Sequence, residues 1–333
     1  MNQNDLERVC NSNIDYSFLK DCTVLVTGAT GLLGSGLVEA LLALNLNINV
    51  IVFVRSKEKA YVKFGDKVSY YVGDIQEKLV INENIDYIIH CANPTSSTFF
   101  VEKPVETIQT AVNGSFNLLN LAVEKKPKKI IFLSTMEVHG TPHKGEKVYV
   151  ENGGSFDSQI IRNCYPLSKQ LCENLFLSYH KEYEVNSCVL RLTQTFGPGI
   201  EYSDKRVFAE FARCAIEKRD IVLKTKGSTE RSYLYISDAI EALLVILKNG
   251  VCGNVYTAAN EETYCSIYDM AQLVAKKANI EVVIQEDDIS KYGFANELHM
   301  DLDTGKLKDI GWAAKVNLDQ AFDYLIEYME EIK

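Results

Sequence analysis

The 333-residue chain has only six prolines, one tryptophan and five histidines, and no uninterrupted apolar run approaches the ~18 residues that a membrane-spanning helix needs. Residues 1–20 lack both the basic start and the apolar stretch of a secretion signal, so neither export nor membrane insertion is expected. Basic charge is also short. Against 45 Asp and Glu stand 35 Lys and Arg, a formal charge of -10, which argues against nucleic-acid or anionic-membrane partners because both need a basic surface. A local basic pocket is compatible with that total. The nine cysteines (10, 22, 91, 164, 172, 188, 214, 252, 265) include no C-x-x-C pair and no His/Cys cluster at zinc spacing. No metal site is expected, and the thiols read as reduced, as in a cytoplasmic protein. Repeats, low-complexity tracts and Pro/Ser linkers are missing as well.

What is present is alternation. Apolar runs at 22–27, 48–54, 68–72, 85–90, 129–134 and 187–192 predict strands, and their near-continuous apolar character suits a parallel sheet covered on both faces. Helical patterns at 32–44, 104–124 and 166–181 fall between them, with Pro104 and Pro166 in first turns. In the polar leader, Leu6, Val9, Ile14, Phe18 and Leu19 predict a short helix packed against the domain. Beyond Thr193 the pattern loosens into brief strands and shorter helices near 205–217, 237–248, 266–277 and 318–331.

Thr27-Gly28-Ala29-Thr30-Gly31-Leu32-Leu33-Gly34 follows the first strand and opens a helix. Missing side chains let such a backbone turn sharply and approach a pyrophosphate, whose charge meets the free amides of the helix N-terminus. The expected fold is therefore a Rossmann-type doubly wound parallel sheet over residues 1–192. Residues 193–333 are read as mainly a smaller α/β substrate domain, with about 232–250 returning to the first and a cleft between the two. The cradle residues are Gly28, Thr30, Gly31, Leu32, Leu33 and Gly34.

The second strand ends in Val54, where an acid would hold the adenosine ribose of NAD, and Arg55 and Ser56 follow. Without the acid a 2′-phosphate is not repelled and the Arg can bind it, so NADP is preferred over NAD. Asp74, with Ile75 beside it, is a candidate contact for the adenine amino group or simply a local cap. The small residues Cys91 and Ala92 end the fourth strand and leave room for a cofactor. His90 reads as a packed residue.

Tyr165-x-x-x-Lys169 is the most specific pattern in the chain, but its spacing alone decides nothing, since Tyr16-x-x-x-Lys20 shares it. Order separates them: Tyr165 opens a helix after the fifth strand, next to the carboxyl edge of the sheet.

These residues, with Gly73-Asp74, Asn113-Gly114-Ser115, Leu133 to Gly140, Arg191 to Pro198, Arg231 to Asp238 and Leu302-Asp303 through Gly311-Trp312, resemble the extended short-chain dehydrogenase/reductases, in particular the nucleotide-sugar epimerase/dehydratase group. The resemblance covers nearly the whole chain. It implies a nicotinamide cofactor and a sugar carried on a nucleoside diphosphate. It makes Tyr165 the base that takes a hydroxyl proton, Lys169 the cation that favours its phenolate and holds the ribose, and Thr135 a partner of the reacting oxygen. The family's 4,6-dehydratases carry an Asp-Glu pair after the Thr. Here Met136 replaces the Asp and cannot donate a proton, while Glu137 remains, as in nucleotide-sugar decarboxylases, which Arg162-Asn163-Cys164-Tyr165 also resembles. His139 replaces the usual Tyr, and Gln194 stands for an Asn that contacts the diphosphate. Substrate contacts are expected from Asn93, Thr135, Gln194 and Arg231, with Arg206 and Lys224 weaker. A homodimer is expected through helices 104–124 and 166–181, whose apolar residues (Leu118, Leu119, Leu121, Ala122; Leu171, Leu175, Phe176, Leu177) spread around more than one face. The expected activity is epimerisation by oxidation and re-reduction of one carbinol. Alternatives are an NADPH-dependent reductase of a nucleotide-activated keto sugar or pentulose, a decarboxylase or dehydratase, and a non-catalytic dinucleotide sensor.

Overall fold

A computed structural model describes residues 1–287 and 297–333. Its strands are β1 (Thr23–Thr27), β2 (Asn49–Val54), β3 (Ser69–Val72), β4 (Tyr87–His90), β5 (Lys129–Thr135), β6 (Lys147–Val148), β7 (Ser187–Leu192), β8 (Gln194–Phe196), β9 (Ile221–Leu223), β10 (Glu230–Tyr235), β11 (Asn254–Ala258), β12 (Asn260–Ser266), β13 (Val282–Ile284) and β14 (His299–Leu302). The helices are α1 (Gln3–Cys10), α2 (Leu32–Ala43), α3 (Lys57–Phe64), α4 (Ser97–Glu102), α5 (Pro104–Lys125), α6 (Cys164–Tyr183), α7 (Val207–Glu217), α8 (Ile236–Asn249), α9 (Ile267–Ala278), α10 (Gly305–Lys308) and α11 (Leu318–Glu331).

Seven parallel strands form the main sheet in the order β11-β7-β5-β4-β1-β2-β3. β4, β5 and β7 are buried almost throughout, because helices cover both faces and alternation with polar residues would strand polar groups in the core. The order reverses at β1, with β2 on one side and β4 on the other. Thr27 and His90 pair across that point and their side chains meet, Oγ1 to Nδ1 at 2.8 Å. A crevice at the carboxyl edge of such a reversal is where ligands of this architecture bind.

The six expected main-sheet strands are present, and a seventh, β11, joins β7 with Asn254 opposite Cys188. Local pattern could not find it: Asn254-Val-Tyr-Thr-Ala is short, lies at the sheet edge, and acquires its partner only through a fold-back over more than sixty residues. Residues Ile236 through Leu247 of α8 are all buried, so this helix is covered on every side and packs between the sheet and α1 and α2. Its buried Asp238 carboxylate accepts from the Lys315 and Val316 amides at 3.1 and 3.0 Å. Helix α3 was also missed, and its polar sequence explains why.

The second sheet runs β12-β10-β14-β6, with β8 pairing β10, and β9 pairs β13 separately. β8 begins two residues after β7 ends, so the chain passes directly from the main sheet into the second at Thr193.

The leader forms α1, capped by Asn2 accepting from the Asp5 amide at 2.8 Å, and a short 3-10 turn at Tyr16–Leu19. Tyr16 is buried and donates to the Val9 carbonyl at 2.8 Å, which makes the second Tyr-x-x-x-Lys a structural coincidence. Among the described residues no helix is long and apolar enough to cross a membrane.

Helices α5 and α6 pack against one another. Of the residues expected to face a second copy, Leu118, Leu119, Leu121, Ala122 and Phe176 are buried in the core. Leu171, also expected, is exposed on α6 with Tyr183, and beside them Val105, Ile108 and Phe116 are exposed on α5.

Candidate active site

The glycine turn is fixed by close backbone approach. Gly28 has φ +66°, and a Cβ there would come within 2.6 Å of the Ala92 nitrogen and the Cys91 carbonyl carbon. A Cβ on Gly34 would meet the Gly28 oxygen at 2.3 Å, which seats α2 against the turn. Gly31 differs: a Cβ there would meet only the Gly28 oxygen, at an ordinary contact distance of 3.4 Å, so the protein itself does not exclude a side chain. Gly31 is also the N-cap of α2 and offers no side chain to the first-turn amides. A bound pyrophosphate fits this arrangement of open backbone and unsatisfied amides. Thr30 lies exposed in the same turn, and Leu32 and Leu33 begin the helix half-buried.

At the far end of the nucleotide crevice, Arg55 is exposed and forms no ion pair among the described residues. Ser56 is occupied: it caps α3 by accepting from the Lys59 amide at 3.3 Å and donates to Glu58 at 2.8 Å. Asp74 accepts from the Gln76 amide at 2.9 Å, a turn cap that leaves its other oxygen available. The Ile75 side chain is buried in the core against Gly114 of α5, so only its backbone can serve a ligand.

Thr135, the last residue of β5, and Tyr165 and Lys169, on the first turns of α6, come together at the carboxyl edge. The Thr135 side chain lies beside the Tyr165 phenol and favours its ionised form. Phe100 of α4 stacks on the Tyr165 ring, centroids 4.1 Å apart and planes within 8°. Lys169 is buried, donates to the Leu133 carbonyl at 2.7 Å and lies 4.5 Å from the Phe132 ring centroid. Its pKa is lowered to about 8, chiefly by burial. Burial and then the Glu137 carboxylate hold the Tyr165 phenol above its ordinary range, with Thr135 and Arg162 pulling the other way. The Lys169 ammonium is held by that backbone carbonyl, and burial keeps Tyr165 protonated at rest.

A buried network braces this pair. Glu173, one turn beyond Lys169, receives Ser134 at 2.5 Å and Arg191 Nε and Nη2 at 3.0 and 2.8 Å. Arg191 also donates to the Val150 carbonyl at 2.6 Å and approaches His139. His139 binds the Asn152 carbonyl through Nδ1 at 2.6 Å, and burial with Arg191 lowers it to about 4. His90 is lowered to about 3 by burial and then by Lys169. Neither imidazole takes up a proton near neutrality.

Glu137 is clasped by Arg162, Nη2 to Oε1 at 3.1 Å and Nη1 to Oε2 at 2.5 Å. Met136 is buried with Val148, Met300 and Leu302, and Thr193 donates to its sulfur at 3.3 Å. An acid at that position would be a buried charge; the thioether is packing.

Of the expected substrate residues, Arg231 and Gln194 meet on neighbouring strands, Nη1 to Oε1 at 3.3 Å. Arg206 is neutralised by Asp204, which accepts at 2.6, 3.0 and 3.1 Å. Lys224 is half-buried just past β9. Three polar groups of the site are buried without a partner among the described residues: the Asn93 amide, Arg162 Nε and Arg231 Nε. Buried polar groups are paired in native proteins, so these point to a polar ligand. Phe100 and Glu173 went unseen in the sequence. The four-residue step from Lys169 to Glu173 was a usable signal for the second, but nothing local marks Phe100 as the lid over Tyr165. No group of three or more His, Cys, Asp or Glu side chains is arranged to hold a metal among the described residues.

Comparison with known proteins adds to this geometry. Residues 24–259 match the model of the NAD dependent epimerase/dehydratase family. UDP-glucuronic acid decarboxylase 6 of Arabidopsis thaliana is 28% identical over 319 residues, 93% of this chain and 89% of that protein. The structure of UDP-glucose 4-epimerase from Thermotoga maritima, with UDP-glucose, superposes with a TM-score of 0.80 at 22% identity, covering 93% of this chain and 99% of that one. The dTDP-glucose 4,6-dehydratase of Bacillus anthracis, in complex with NAD, gives 0.77 at 19%, covering 93% and 97%.

Proposed function

Because this chain belongs to the NAD dependent epimerase/dehydratase family, we propose that it oxidises one carbinol of a sugar carried on a nucleoside diphosphate and reduces the ketone again, an epimerisation without net use of cofactor. The observation that carries this reading is half-buried Thr135 set with buried Tyr165 and Lys169 at the carboxyl edge, beside a Met136 that cannot protonate a leaving hydroxyl. When bound, the nicotinamide supplies a hydride acceptor and a positive charge. Gly28, Gly31 and the first amides of α2 hold the pyrophosphate, and Lys169 holds the ribose. Thr135 orients the sugar hydroxyl. Tyr165 takes its proton, once bound positive charge offsets the burial that keeps the phenol protonated at rest. Arg231, paired with Gln194, holds the diphosphate, and Asn93 completes the sugar's hydrogen bonds.

A second reading rests on the Glu137–Arg162 pair and on the decarboxylases among the relatives. With a sugar acid as substrate, the same ketone would sit β to a carboxylate. The carbon–carbon bond then breaks, carbon dioxide leaves, and the electrons pass to the oxygen held by Thr135 and Tyr165. A third outcome, net reduction of a keto sugar or pentulose, is supported by Val54 and unpaired Arg55, which also sustain the preference for NADP. Glu58, held by Ser56, counts against a phosphate there.

One assay separates these outcomes. UDP-, dTDP-, GDP- and CDP-sugars are screened by thermal shift, and the ligand with the largest shift is incubated with NAD(P) or NAD(P)H. Epimer formation at constant reduced-nicotinamide absorbance supports the first reading. Carbon dioxide release supports the second, and stoichiometric NADPH loss the third. Tighter binding of NADH than NADPH would overturn the cofactor preference. A dimer through the exposed side of α5 and α6 is also proposed, and a monomeric mass by light scattering at micromolar concentration would contradict it.

A further inference from the structure

One pair of nucleophiles lies outside this chemistry. Cys188 is the second residue of β7 and is fully buried, while Cys252 is half-buried in the turn that leads into edge strand β11. The Gly253 amide donates to the Ser187 carbonyl at 2.7 Å and ties that turn to the start of β7. The Cys188 Sγ reaches the Val251 carbonyl at 3.4 Å, and Asn254 pairs opposite Cys188, so Cys188 and Cys252 sit side by side at the start of the two strands, neither in a disulfide.

Their surroundings are cationic. The buried Lys129 ammonium closes the end of α8 by donating to the carbonyls of Ile246, Leu247 and Gly250 at 2.9, 3.0 and 2.7 Å, and its charge acts on Cys252. The His180 ring lies so close to Gly253 that a Cβ there would come within 2.5 Å of it, and Val251 beside the pair is exposed. The Cys188 thiol, then Lys129 and His180, lower Cys252 against the effect of its own burial. The other seven cysteines are all raised, with burial as the chief cause.

We propose that Cys188 and Cys252 form a reversible dithiol–disulfide site, a covalent modification site for hydroperoxides that fastens edge strand β11 to β7. The Cys252 thiolate attacks a peroxide oxygen; the O–O bond breaks, hydroxide or alkoxide leaves, and Cys252 becomes a sulfenic acid. Cys188 then attacks that sulfur, the S–S bond forms, the S–O bond breaks and water departs with the thiol proton. Two electrons pass from the thiols to the peroxide. The closed loop runs from β7 through β8, α7, β9, β10 and α8, so the bridge restrains the unfolded chain and raises stability. Cys188 lies at the opposite end of β7 from Thr193 and Gln194, which leaves the active site untouched.

The test uses the full reduced protein. At neutral pH, limiting iodoacetamide should alkylate Cys252 at least about tenfold faster than the comparably exposed Cys10 and Cys265. Hydrogen peroxide should yield a Cys188–Cys252 cross-linked peptide, reversed by dithiothreitol, together with a higher melting temperature. In Cys188→Ser, dimedone should trap a sulfenic acid on Cys252 and the rise in melting temperature should vanish. The proposal is overturned if Cys10 or Cys265 reacts before Cys252. It is equally overturned if peroxide leaves Cys252 as an uncrosslinked sulfenic or sulfinic acid in the wild type. Each readout is chemical, so the result stands apart from any assay of sugar turnover.

Discussion

Lys169 and Arg206 are both cations that the sequence offers to a ligand, yet the two regions they occupy treat charge in opposite ways. At the carboxyl edge, Lys169 is buried, lowered to about 8 and held by the Leu133 carbonyl, with the Phe132 ring, Glu173, Cys172 and Cys91 beside it. At the start of α7, Arg206 is partly exposed and its charge is taken up by Asp204, two residues earlier. Charge that is buried and incompletely balanced is the kind a ligand can complete, whereas charge already paired at the surface has little left to give. Arg231 falls between the two, with a contact to Gln194 on one nitrogen and a buried Nε without a partner.

The largest break in this contrast should come from Tyr165→Phe. The ring keeps its stack on Phe100, so folding should be unchanged, while kcat should fall by about 10³-fold. A variant within threefold of wild type would remove Tyr165 from the chemistry.

Next is the glycine turn, where two neighbours should behave differently. Gly28→Ala strains a left-handed backbone and drives a methyl into Cys91 and Ala92, at a cost of at least about 2 kcal/mol in denaturant unfolding. Gly31→Ala has room and should fold normally, yet bind NAD(P) roughly tenfold more weakly because the methyl occupies the phosphate's space. Equal stability losses in the two variants would contradict this division.

Acid should expose the buried region first. His90 and His139, lowered to about 3 and about 4, stay neutral in the fold but charge near pH 6.5 once unfolded. The unfolded chain then binds more protons. Each histidine therefore contributes stability that is complete above pH 6.5 and lost as the pH falls through its folded value, by about 1.4 kcal/mol per pH unit in between. Urea midpoints from pH 7 to 4.5 should show a shallower decline in His139→Gln than in wild type, and parallel curves would count against a neutral buried His139.

The smallest effects belong to Arg231 on β10 and Arg206 at the start of α7. Arg231→Ala should raise KM about tenfold with kcat little changed, whereas Arg206→Ala should stay within about threefold on both. The reverse order would move the diphosphate contact to Arg206.

The same contrast sets what could be read from the sequence. β1, β2, β4, β5 and β7 announce themselves because burial on both faces demands unbroken apolar runs, and Gly28 and Gly34 because only glycine satisfies their contacts. Tyr165 and Lys169 were legible from their order along the chain. Phe100 was not, because its stack on Tyr165 exists only after α4 has folded over α6. Neither was β11, whose register with β7 spans a long loop. The pairing of Arg206 with Asp204 was within reach, since the two are close neighbours in sequence, but residue type alone suggested a phosphate ligand.

The central claim is that Tyr165 governs hydride movement at a carbinol of a nucleotide sugar. The direct measurement follows deuterium from the reacting carbon of the nucleotide sugar with the largest thermal shift, in protein loaded with NAD(P). Label should appear on the nicotinamide in wild type and fall by about 10³-fold in rate in Tyr165→Phe. Product formed at the wild-type rate by Tyr165→Phe, or formed with no label ever reaching the nicotinamide, would contradict the account.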